Sequence, residues 1–452
     1  MREAGPSARV PARFHPWVCV TAACVLLLGC GEDSKPSEQA ATKTQEDPAG
    51  GWVVGMPGSY AVRTPHGELA ARLNAQAMAQ GTSSDGLGNI GYAQGFENAP
   101  GTSGVLTIAE GRVNPAPTLL VHGNAAAAEL IDMDGKLLHR WELPHDRLPD
   151  APALEGSHQI PWRAVELCSD GSLIALHSGA ALVRIDKDSK LQWVTYGRFH
   201  HDIAQTESGE LLVLSRKKRL VVEVHPEEPV VDDLLVTVDK DTGKIIEELS
   251  LWEALRDSSY AGLLDRLVVR EGDVMHANGL WPVTEQDAKS LAIDGVRSGS
   301  ALICMRDLDL VACVDQGVIT WLTHGPRSSP WRGLHDPTPT PRGTLMVFDN
   351  LGGPGGTSRL LEIRPADGSI AWSFAGGPPE SFHSLFCGTV QVLANGNVLA
   401  AESCNGRALE IDPKTREIVW EYVSPHVAGP EGRYVAALFE AARIEAPIDW
   451  LD

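Results

Sequence analysis

Hydrophobic and polar residues alternate along most of this chain in short segments that polar turns separate. The clearest segments share one order: a glycine-led apolar strand, a turn, a second strand ending in Asp, another turn, and a strand ending in Trp. They are GSLIALHSGAALVRIDKDSKLQW (171–193), GTLMVFDN with SRLLEIRPADGSIAW (343–372) and GNVLAAESCNGRALEIDPKTREIVW (396–420). Alternation with a period of two, punctuated by Asp-Gly and Asn-Gly, predicts antiparallel hairpins.

The same unit recurs in weaker form at 209–252 and 300–321, and a partial copy precedes them. The closing tryptophans are Trp141, Trp193, Trp252, Trp321, Trp372 and Trp420, with steps of 52, 59, 69, 51 and 48 residues. A period near fifty with three to four strands per unit is typical of propeller blades. The pattern therefore predicts an all-β protein, a six-bladed β-propeller with a short irregular N-terminal lead-in region. We expect a helical stretch around Leu251–Leu267, and ring closure by residues after Trp420 or by the segment near 115.

The amino terminus has the composition of a targeting segment. Residues 1–29 carry three arginines and an apolar run, Trp17–Leu28, that is short for a bilayer span. The letters LLGC at 27–30 resemble the lipobox of bacterial lipoproteins, which implies cleavage before Cys30 and a lipid on its thiol. A plain signal peptide is the alternative. Because Gly31 and not Asp follows the cysteine, we expect an envelope protein that faces the periplasm, anchored in the outer membrane.

Composition divides the chain into four regions: signal peptide 1–29, flexible tether 30–51, lead-in region 52–114 and propeller 115–452. The tether is polar and lacks periodicity. The lead-in region contains no feature that dictates a dimer, so the oligomeric state stays open.

Charge excludes some classes of partner. The chain has 38 Lys+Arg and 59 Asp+Glu, for a formal charge of −21. Phosphate binding requires clustered basic residues, so nucleic acid and an anionic membrane surface are poor partners for any broad face. The chain also lacks a GxxxxGK[ST] loop, which argues against a nucleotide-fed reaction.

Four cysteines flank predicted turns and are candidates for two disulfides: Cys387 with Cys404, and Cys304 with Cys313. Asn395-Gly396 suits a two-residue hairpin turn, and such a turn would place the first pair directly opposite each other. The alternative is that all four are small buried hydrophobic residues. Their spacing does not indicate a zinc site.

Four polar clusters occupy corresponding places, just before successive repeats: Phe199-His200-His201-Asp202, Met275-His276-Ala277-Asn278, Leu334-His335-Asp336-Pro337 and Phe382-His383-Ser384. A propeller gathers the starts of its innermost strands at one mouth of the central channel, so these residues should converge there. Arg306 lies at the far end of an inner-strand segment, whereas the tryptophans at the ends of the repeats are predicted to pack.

These residue types support two kinds of chemistry. A neutral imidazole is a good nucleophile toward sulfur or phosphorus, and a second histidine can protonate a departing phenolate. Arg and Asn can hold the oxygens of the transferred group without a metal. Alternatively, four convergent imidazoles, those of His200, His201, His276 and His335, could bind iron, copper or zinc.

The order HHD, HxN, LxxxR, HDP, FDN with SR, and NGN with GR, EID and VWEY resembles the bacterial arylsulfotransferase family. The resemblance covers about Leu130 to Pro425. It implies a six-bladed propeller that transfers sulfate from an aryl sulfate to a phenol without a nucleotide donor and without a cofactor. The intermediate would be a sulfohistidine at His335.

The same resemblance implies a role for further residues. The HxN pair falls on His276 and Asn278, the sulfate-binding arginine on Arg306, and the remaining histidine on His200 or His201, with a slight preference for His200. Two residues of the FDN and SR segment have the character of structural or rim positions, Asn350 and Arg359.

Two functional alternatives stand beside the transferase. One is a non-catalytic envelope propeller that binds a ligand or a protein, and the other is the histidine-ligated metal enzyme. Donor and acceptor identity lie in pocket shape, which the sequence does not specify.

Overall fold

The computed structural model describes residues 94–151, 160–266, 272–377 and 380–451, all within one compact unit. This part of the chain is mostly β, with few helices. It contains six antiparallel sheets of four or five strands, numbered 1 to 6 along the chain, and two smaller pairings. The signal peptide, the tether with Cys30, and residues 52–93 of the lead-in region lie outside the described residues.

Two strands precede sheet 1, β1 (Gln94–Asn98) and β2 (Gly104–Ile108). The strands of the first three sheets are β3 (Thr118–His122), β4 (Ala127–Ile131) and β5 (Leu137–Glu142) in sheet 1; β6 (Trp162–Leu167), β7 (Leu173–His177), β8 (Ala181–Ile185) and β9 (Leu191–Tyr196) in sheet 2; and β10 (Phe199–Gln205), β11 (Leu211–Arg219), β12 (Val230–Val238) and β13 (Ile245–Ser250) in sheet 3, where a short parallel strand, β14 (Gly272–Asp273), joins β12.

The remaining strands are β15 (Ala277–Pro282), β16 (Ala301–Met305), β17 (Leu310–Asp315) and β18 (Val318–His324) in sheet 4; β19 (Leu334–Pro339), β20 (Leu345–Asp349), β21 (Arg359–Ile363) and β22 (Ile370–Phe374) in sheet 5; the hairpin β23 (Gly376–Gly377) and β24 (Glu380–Ser381); β25 (Thr389–Val392), β26 (Val398–Glu402), β27 (Arg407–Asp412) and β28 (Glu417–Val423) in sheet 6; and finally β29 (Val427–Ala428), β30 (Tyr434–Ala436) and β31 (Leu438–Arg443).

Helices are short in the described ranges. Helix α1 (Leu251–Arg256) and the 3-10 turn Ala261–Arg266 confirm the helical stretch predicted after sheet 3. Trp252 lies in α1, so it does not close a strand as the repeat suggested. Helix α2 (Glu285–Leu291) has a capping box between Thr284 and Asp287. Further 3-10 turns are His145–Arg147, Arg306–Leu308, Pro354–Gly356, Ser403–Asn405 and Pro430–Gly432. No helix in these ranges has the length and apolar character needed to cross a membrane.

The two ends of the described chain complete one sheet. The last strand, β31, pairs antiparallel with β3, so sheet 1 has the order β31-β3-β4-β5. This pairing confirms that the predicted segments complete one sheet, and it joins both of them. Within the lead-in region, β2 adds a fifth strand to sheet 6 and β1 pairs with β30.

The first strand of each sheet contacts the first strand of the next, and we call these the inner strands: β31, β6, β10, β15, β19 and β25. The second strand is buried at every position in sheets 1, 2, 4, 5 and 6. Neighbouring sheets cover both of its faces, so its sequence is a nearly continuous apolar run and not an alternating one.

Four of the six closing tryptophans, Trp141, Trp193, Trp372 and Trp420, join one sheet to the next through the indole N–H. The indole Nε1–H of Trp141 in sheet 1 donates to the Gly171 carbonyl beside sheet 2 at 3.0 Å. The indole of Trp372 donates to Pro413 at 2.9 Å, and that of Trp420 donates to Met133 of sheet 1 at 3.0 Å. A large buried ring with one satisfied donor is an efficient contact at these junctions.

The disulfide prediction is wrong for both pairs, because Cys168, Cys304, Cys313, Cys387 and Cys404 are all free and buried. The turn between β25 and β26 places three residues, 394–396, in its loop, since Leu393 N donates to Asn397 O. This shifts the register by one, and the pairing ends at Thr389–Ala401. In sheet 4, Cys313 pairs with Leu302 and not with Cys304.

Candidate functional site

The predicted polar clusters lie where the inner strands depart from regular pairing. The register shifts between Phe199 and Ile203 in β10, between Ala277 and Leu280 in β15, and between His335 and Thr338 in β19. Backbone φ is positive at His201 (60°), His276 (52°) and Asp336 (54°). Such irregularities turn a side chain away from its usual direction, and they concentrate at functional sites.

His335 is held as a neutral imidazole with a defined tautomer. Its Nδ1 lies 2.7 Å from Asn350 Oδ1 and 3.0 Å from Gly333 O. Both of these oxygens accept, so Nδ1 carries the proton and Nε2 keeps its lone pair. Asn278 Nδ2 donates to Nε2 at 2.9 Å. Burial and the charge of Arg163 lower the pKa of His335 to about 3, so the ring is uncharged at neutral pH.

Asn350 defines that tautomer, although its motif suggested a structural or rim position. It is 1% exposed, and its Nδ2 donates to the carbonyls of Ser384 at 2.7 Å and Cys387 at 2.6 Å. With the amide nitrogen held by two carbonyls, Oδ1 must face His335. The fourth cluster therefore contributes through backbone carbonyls, since the ring of His383 lies beside Ser358 Oγ instead, at 3.5 Å.

A chain of imidazoles approaches from the neighbouring strands. His276 Nδ1 lies 2.5 Å from Asp273 Oδ2, and its Nε2 lies 3.2 Å from His201 Nε2. His201 Nδ1 lies 2.6 Å from His200 Nδ1, and His200 Nε2 lies 3.0 Å from Ser215 O. Thus His201, which is partly exposed, meets His276, whereas His200 is 2% exposed and supports His201 from behind. The slight preference for His200 as the residue in the site is not met.

The chain of contacts assigns the protons. The Ser215 carbonyl only accepts, so His200 Nε2 carries a proton and His200 Nδ1 accepts from His201. Burial lowers the pKa of His200 to about 3 and that of His201 well below its usual range, so both rings are neutral. His201 Nε2 must then accept from His276 Nε2. His276 and Arg306 lower the pKa of Asp273, so this residue stays a carboxylate that accepts from His276 Nδ1.

Two arginines bring positive charge to the site. Arg306 is 9% exposed and begins the turn after β16, where its backbone N donates to His276 O at 3.1 Å and its Nε to Asp307 Oδ1 at 2.7 Å. Its charge lowers the pKa values of His335 and Asp273. Arg163, in the inner strand β6, lowers the pKa of His335 as well, and its guanidinium lies 4.8 Å from the Phe439 ring.

Arg163 was not predicted to lie near the site, because the residue type shared by the predicted clusters is histidine and its segment contains none. The usable signal was position: PWRAVEL begins an inner strand just as the histidine clusters do, and its register also shifts, between Trp162 and Val165. Arg359, by contrast, binds Asp349 and the Pro330 carbonyl, which fits the structural role expected of it.

A layer of three carboxyl groups lies in the inner strands, and two of them, Asp202 and Asp336, directly follow His201 and His335 in the sequence. Asp202 accepts from Leu280 N at 2.7 Å, Asp336 from Val390 N at 2.5 Å and Glu440 from Val165 N at 3.0 Å. Each carboxyl thus joins its inner strand to the next. Burial raises the pKa of Asp202 to about 6 and those of Asp336 and Glu440 to about 8.

The site does not have the geometry of the metal alternative. Among the described residues, one group of potential ligands has its atoms within 4.8 Å of one another, and that group is His122, Glu129 and His426. The four histidines named for a metal, His200, His201, His276 and His335, do not form such a group. Their nitrogens are instead engaged with one another, with a carboxylate, with amides and with carbonyls.

Comparison with known families finds one match, to the arylsulfotransferase (ASST) family over residues 165–424. That span includes His200, His201, His276, Asn278, Arg306 and His335. No curated protein matches the chain.

Solved structures with a similar fold are propeller-like and distant in sequence. A protein of unknown function from Bacteroides caccae is 11% identical, with a TM-score of 0.46, and the match covers 68% of this chain and 94% of that one. A catalytically inactive virginiamycin B lyase from Staphylococcus aureus with quinupristin is 13% identical (TM-score 0.38; 71% and 88% covered). The WD40 β-propeller domain of Doa1 is 9% identical (TM-score 0.38; 74% and 87% covered). The likeness concerns the fold alone.

Proposed function

This chain belongs to the arylsulfotransferase (ASST) family, and on that premise we propose that it moves a sulfuryl group from an aryl sulfate to a phenolic acceptor through a sulfohistidine at His335. Family membership implies aryl sulfotransferase activity. The observation that carries the mechanism is the fixed tautomer of His335, whose Nε2 lone pair lies beside Asn278 Nδ2 at 2.9 Å.

In the first half-reaction the Nε2 lone pair of His335 forms an N–S bond, and the S–O bond to the aryl group breaks. The electron pair of that bond leaves with the phenolate oxygen, which takes the proton from His276 Nε2. The Asp273 carboxylate holds His276 in its protonated form through the 2.5 Å contact at Nδ1. General acid catalysis of this kind contributes roughly 10²- to 10⁴-fold.

In the second half-reaction an acceptor phenol gives its proton to His276 and attacks the sulfur. The N–S bond breaks, and its electron pair returns to Nε2 of His335. Arg306 and Asn278 are proposed to bind the sulfuryl oxygens, because a loose transition state gains most from positioning and charge. Asn278 is fully buried, and its Nδ2 carries two N–H bonds: one donates to His335 Nε2, and the other is proposed to donate to a sulfuryl oxygen.

The six sheets are proposed to be the blades of a six-bladed propeller. Support comes from the cyclic order of contacts between inner strands and from the pairing of β31 with β3, which leaves sheet 1 with no open inner edge. The clusters of β10, β15 and β19 then share one mouth. No cofactor or nucleotide donor is needed, since the proposed steps use only side chains of this chain.

The envelope location is proposed from the sequence of the first thirty residues alone. Cleavage before Cys30 and lipid on its thiol would place the enzyme facing the periplasm, in the outer membrane. We expect Cys30→Ser to remain unlipidated and to leave the membrane fraction. Retention of the variant in that fraction, with the parent's extraction behaviour, would contradict lipid anchoring.

The transferase proposal is tested by intact-protein mass spectrometry after incubation with an aryl sulfate and no acceptor. We expect the mass to rise by one sulfuryl group, released phenol to equal the adduct, and added phenolic acceptor to discharge it. His335→Asn should abolish both signals, whereas His324→Gln, a change at an exposed histidine of β18, should leave them unchanged. Absence of adduct and of phenol release with several donors would overturn the proposal and favour a binding protein.

A further inference from the structure

A second group of histidines lies outside the catalytic cluster. His122 ends β3, Glu129 lies in β4, and His426 follows β28, so the group joins sheet 1 to the segment beyond sheet 6. One ligand atom from each residue lies within 4.8 Å of the others. His122 and His426 are separated by more than 300 residues of sequence, and neither belongs to the motifs assigned to sulfuryl transfer.

The two imidazoles face a single carboxylate oxygen. His426 Nε2 lies 3.1 Å and His122 Nε2 lies 3.9 Å from Glu129 Oε2. The ring centroids are 4.5 Å apart, with the planes inclined at 61°. Two imidazole nitrogens and one carboxylate oxygen directed at a common point form the donor set typical of zinc.

Hydrogen bonds from neighbouring residues fix the orientation of these groups, as they do for the ligands of known metal sites. Ser424 Oγ accepts from the backbone N of His426 at 3.2 Å and lies 3.1 Å from His122 Nδ1. With Nδ1 engaged there, His122 Nε2 faces Glu129, and the Tyr422 hydroxyl lies 3.5 Å from the same nitrogen as a weak partner. The Ser424 hydroxyl thus fixes the orientation of the His122 ring, as outer partners do for metal-bound histidines.

We propose that His122, Glu129 and His426 bind one zinc ion that fastens the closure of the fold. The ligands come from both ends of the described chain, and β3, which carries His122, is the strand that pairs with the last strand, β31. The side chain of His426 is 26% exposed, which gives an ion a path to the site. Tyr422 or a water supplies the fourth ligand.

Arg140 is expected to influence the affinity of this site for zinc. It binds the other carboxylate oxygen of Glu129, Oε1, and leaves Oε2 for the ion. This contact orients the carboxylate, but a guanidinium next to a bound cation also opposes it. We therefore expect Arg140→Gln, which retains a donor and removes the charge, to tighten zinc binding by roughly two- to tenfold.

The test uses the purified full-length chain, treated with a chelator and then titrated with zinc against a chromophoric indicator. We expect one equivalent to bind and the unfolding temperature to rise with zinc concentration. His426→Gln and Glu129→Gln should each weaken binding at least about tenfold, by analogy with losses in other zinc sites. His324→Gln serves as the matched control, because it removes an exposed imidazole elsewhere.

Cobalt(II) gives a readout that does not depend on a variant's stability. Absorption bands of a four-coordinate site with two nitrogen and two oxygen ligands in the parent, lost in His426→Gln, support the proposal. Zinc binding that survives in His426→Gln but is lost in His276→Gln would overturn it and place the ion at the catalytic cluster. Absence of binding in the parent would overturn it as well.

Discussion

His335 and His276 are both buried histidines of neighbouring inner strands, yet their Nδ1 atoms have different partners. The Nδ1 of His335 donates to an amide oxygen, that of Asn350, whereas the Nδ1 of His276 faces the carboxylate of Asp273. A neutral acceptor leaves the first ring uncharged, with its Nε2 lone pair accepting from Asn278 Nδ2, whereas a carboxylate favours the imidazolium form of the second ring. The comparison shows that the partner of each Nδ1 atom determines which imidazole is the nucleophile and which is the acid. The histidines alone do not determine these roles.

The largest expected effect comes from removing the charge behind His276. Asp273→Asn replaces the carboxylate by an amide of the same shape, so the imidazolium loses its partner and the acid is no longer protonated. Exchange of the corresponding Asp in a catalytic triad costs about 10⁴-fold, and we expect a loss of about 10³-fold for phenols that are poor leaving groups. Rates of phenol release should be compared across donors of rising phenol pKa.

Because a good leaving group needs little protonation, the loss for nitrophenyl sulfates should be much smaller than for unsubstituted phenyl sulfate. An equal loss across all donors would mean that Asp273 acts through the fold and not through the acid. Asp232→Asn is the control: that carboxylate is also buried, but its partners are Ser250 and Arg219 and not an imidazole.

A glycine keeps the two histidine-bearing strands close enough to share a site. Gly279 follows Asn278 with φ of +90°, and a Cβ there would lie 2.4 Å from the Asp336 backbone N. Gly279→Ala should therefore lower the free energy of unfolding by roughly 2–4 kcal/mol, as steric overlap adds to backbone strain. Urea unfolding measures it.

Gly209 provides the matched control, since its φ is +92° and no atom lies within 4 Å of an added Cβ. The cost of Gly209→Ala contains the conformational part alone, and the difference between the two variants isolates the contact between the strands. Equal costs would contradict the close approach of β15 and β19.

The amide behind His335 should matter less than the carboxylate behind His276. Asn350→Asp keeps the acceptor for Nδ1 but loses the donors to the Ser384 and Cys387 carbonyls. We expect adduct formation to slow by about 10- to 100-fold, because the oxygen is no longer held by the two carbonyls and the new carboxylate favours the protonated form of His335, which is not a nucleophile. An adduct rate that is unchanged in Asn350→Asp would mean that Asn350 has a structural role only.

Much of this arrangement could be predicted from the sequence, because equivalent packing contacts in each sheet require similar residues at corresponding positions of the repeat. Strand alternation, the closing tryptophans and the shared place of the polar clusters all recur, and each has one cause that the structure repeats from sheet to sheet. Closure by the two chain ends followed from the same logic, since an unpaired inner edge is unfavourable.

The partners of the histidines did not follow, because they are single residues outside the repeat. Asp273 lies in β14, a two-residue strand, and Asn350 required knowledge of where the carbonyls of residues 384 and 387 point. The choice between His200 and His201 depended on a positive φ at one residue of an irregular strand, which no pattern of residue types records. A one-residue difference in loop length was sufficient to invalidate the Cys387–Cys404 bridge.

The smallest expected effect concerns the carboxyl layer of the inner strands. It tests whether burial keeps the Glu440 carboxyl uncharged, as burial keeps the His335 imidazole uncharged. Glu440, in β31, has a pKa raised to about 8 by burial, above the unfolded value near 4.5. Its protonated native form contributes stability that is complete below pH 4.5 and is lost as the pH rises toward 8. Glu440→Gln keeps an acceptor for Val165 N and cannot ionise. Between pH 5 and pH 9 the free energy of unfolding of this variant should therefore fall less than that of the parent, by on the order of 1–2 kcal/mol in urea unfolding.

The control is Glu247→Gln, on an exposed face of β13, which should follow the parent. If parent and Glu440→Gln lose stability in parallel, the carboxyl groups of this layer are ionised at neutral pH. Their negative charge would then also affect the nucleophilicity of the His335 imidazole.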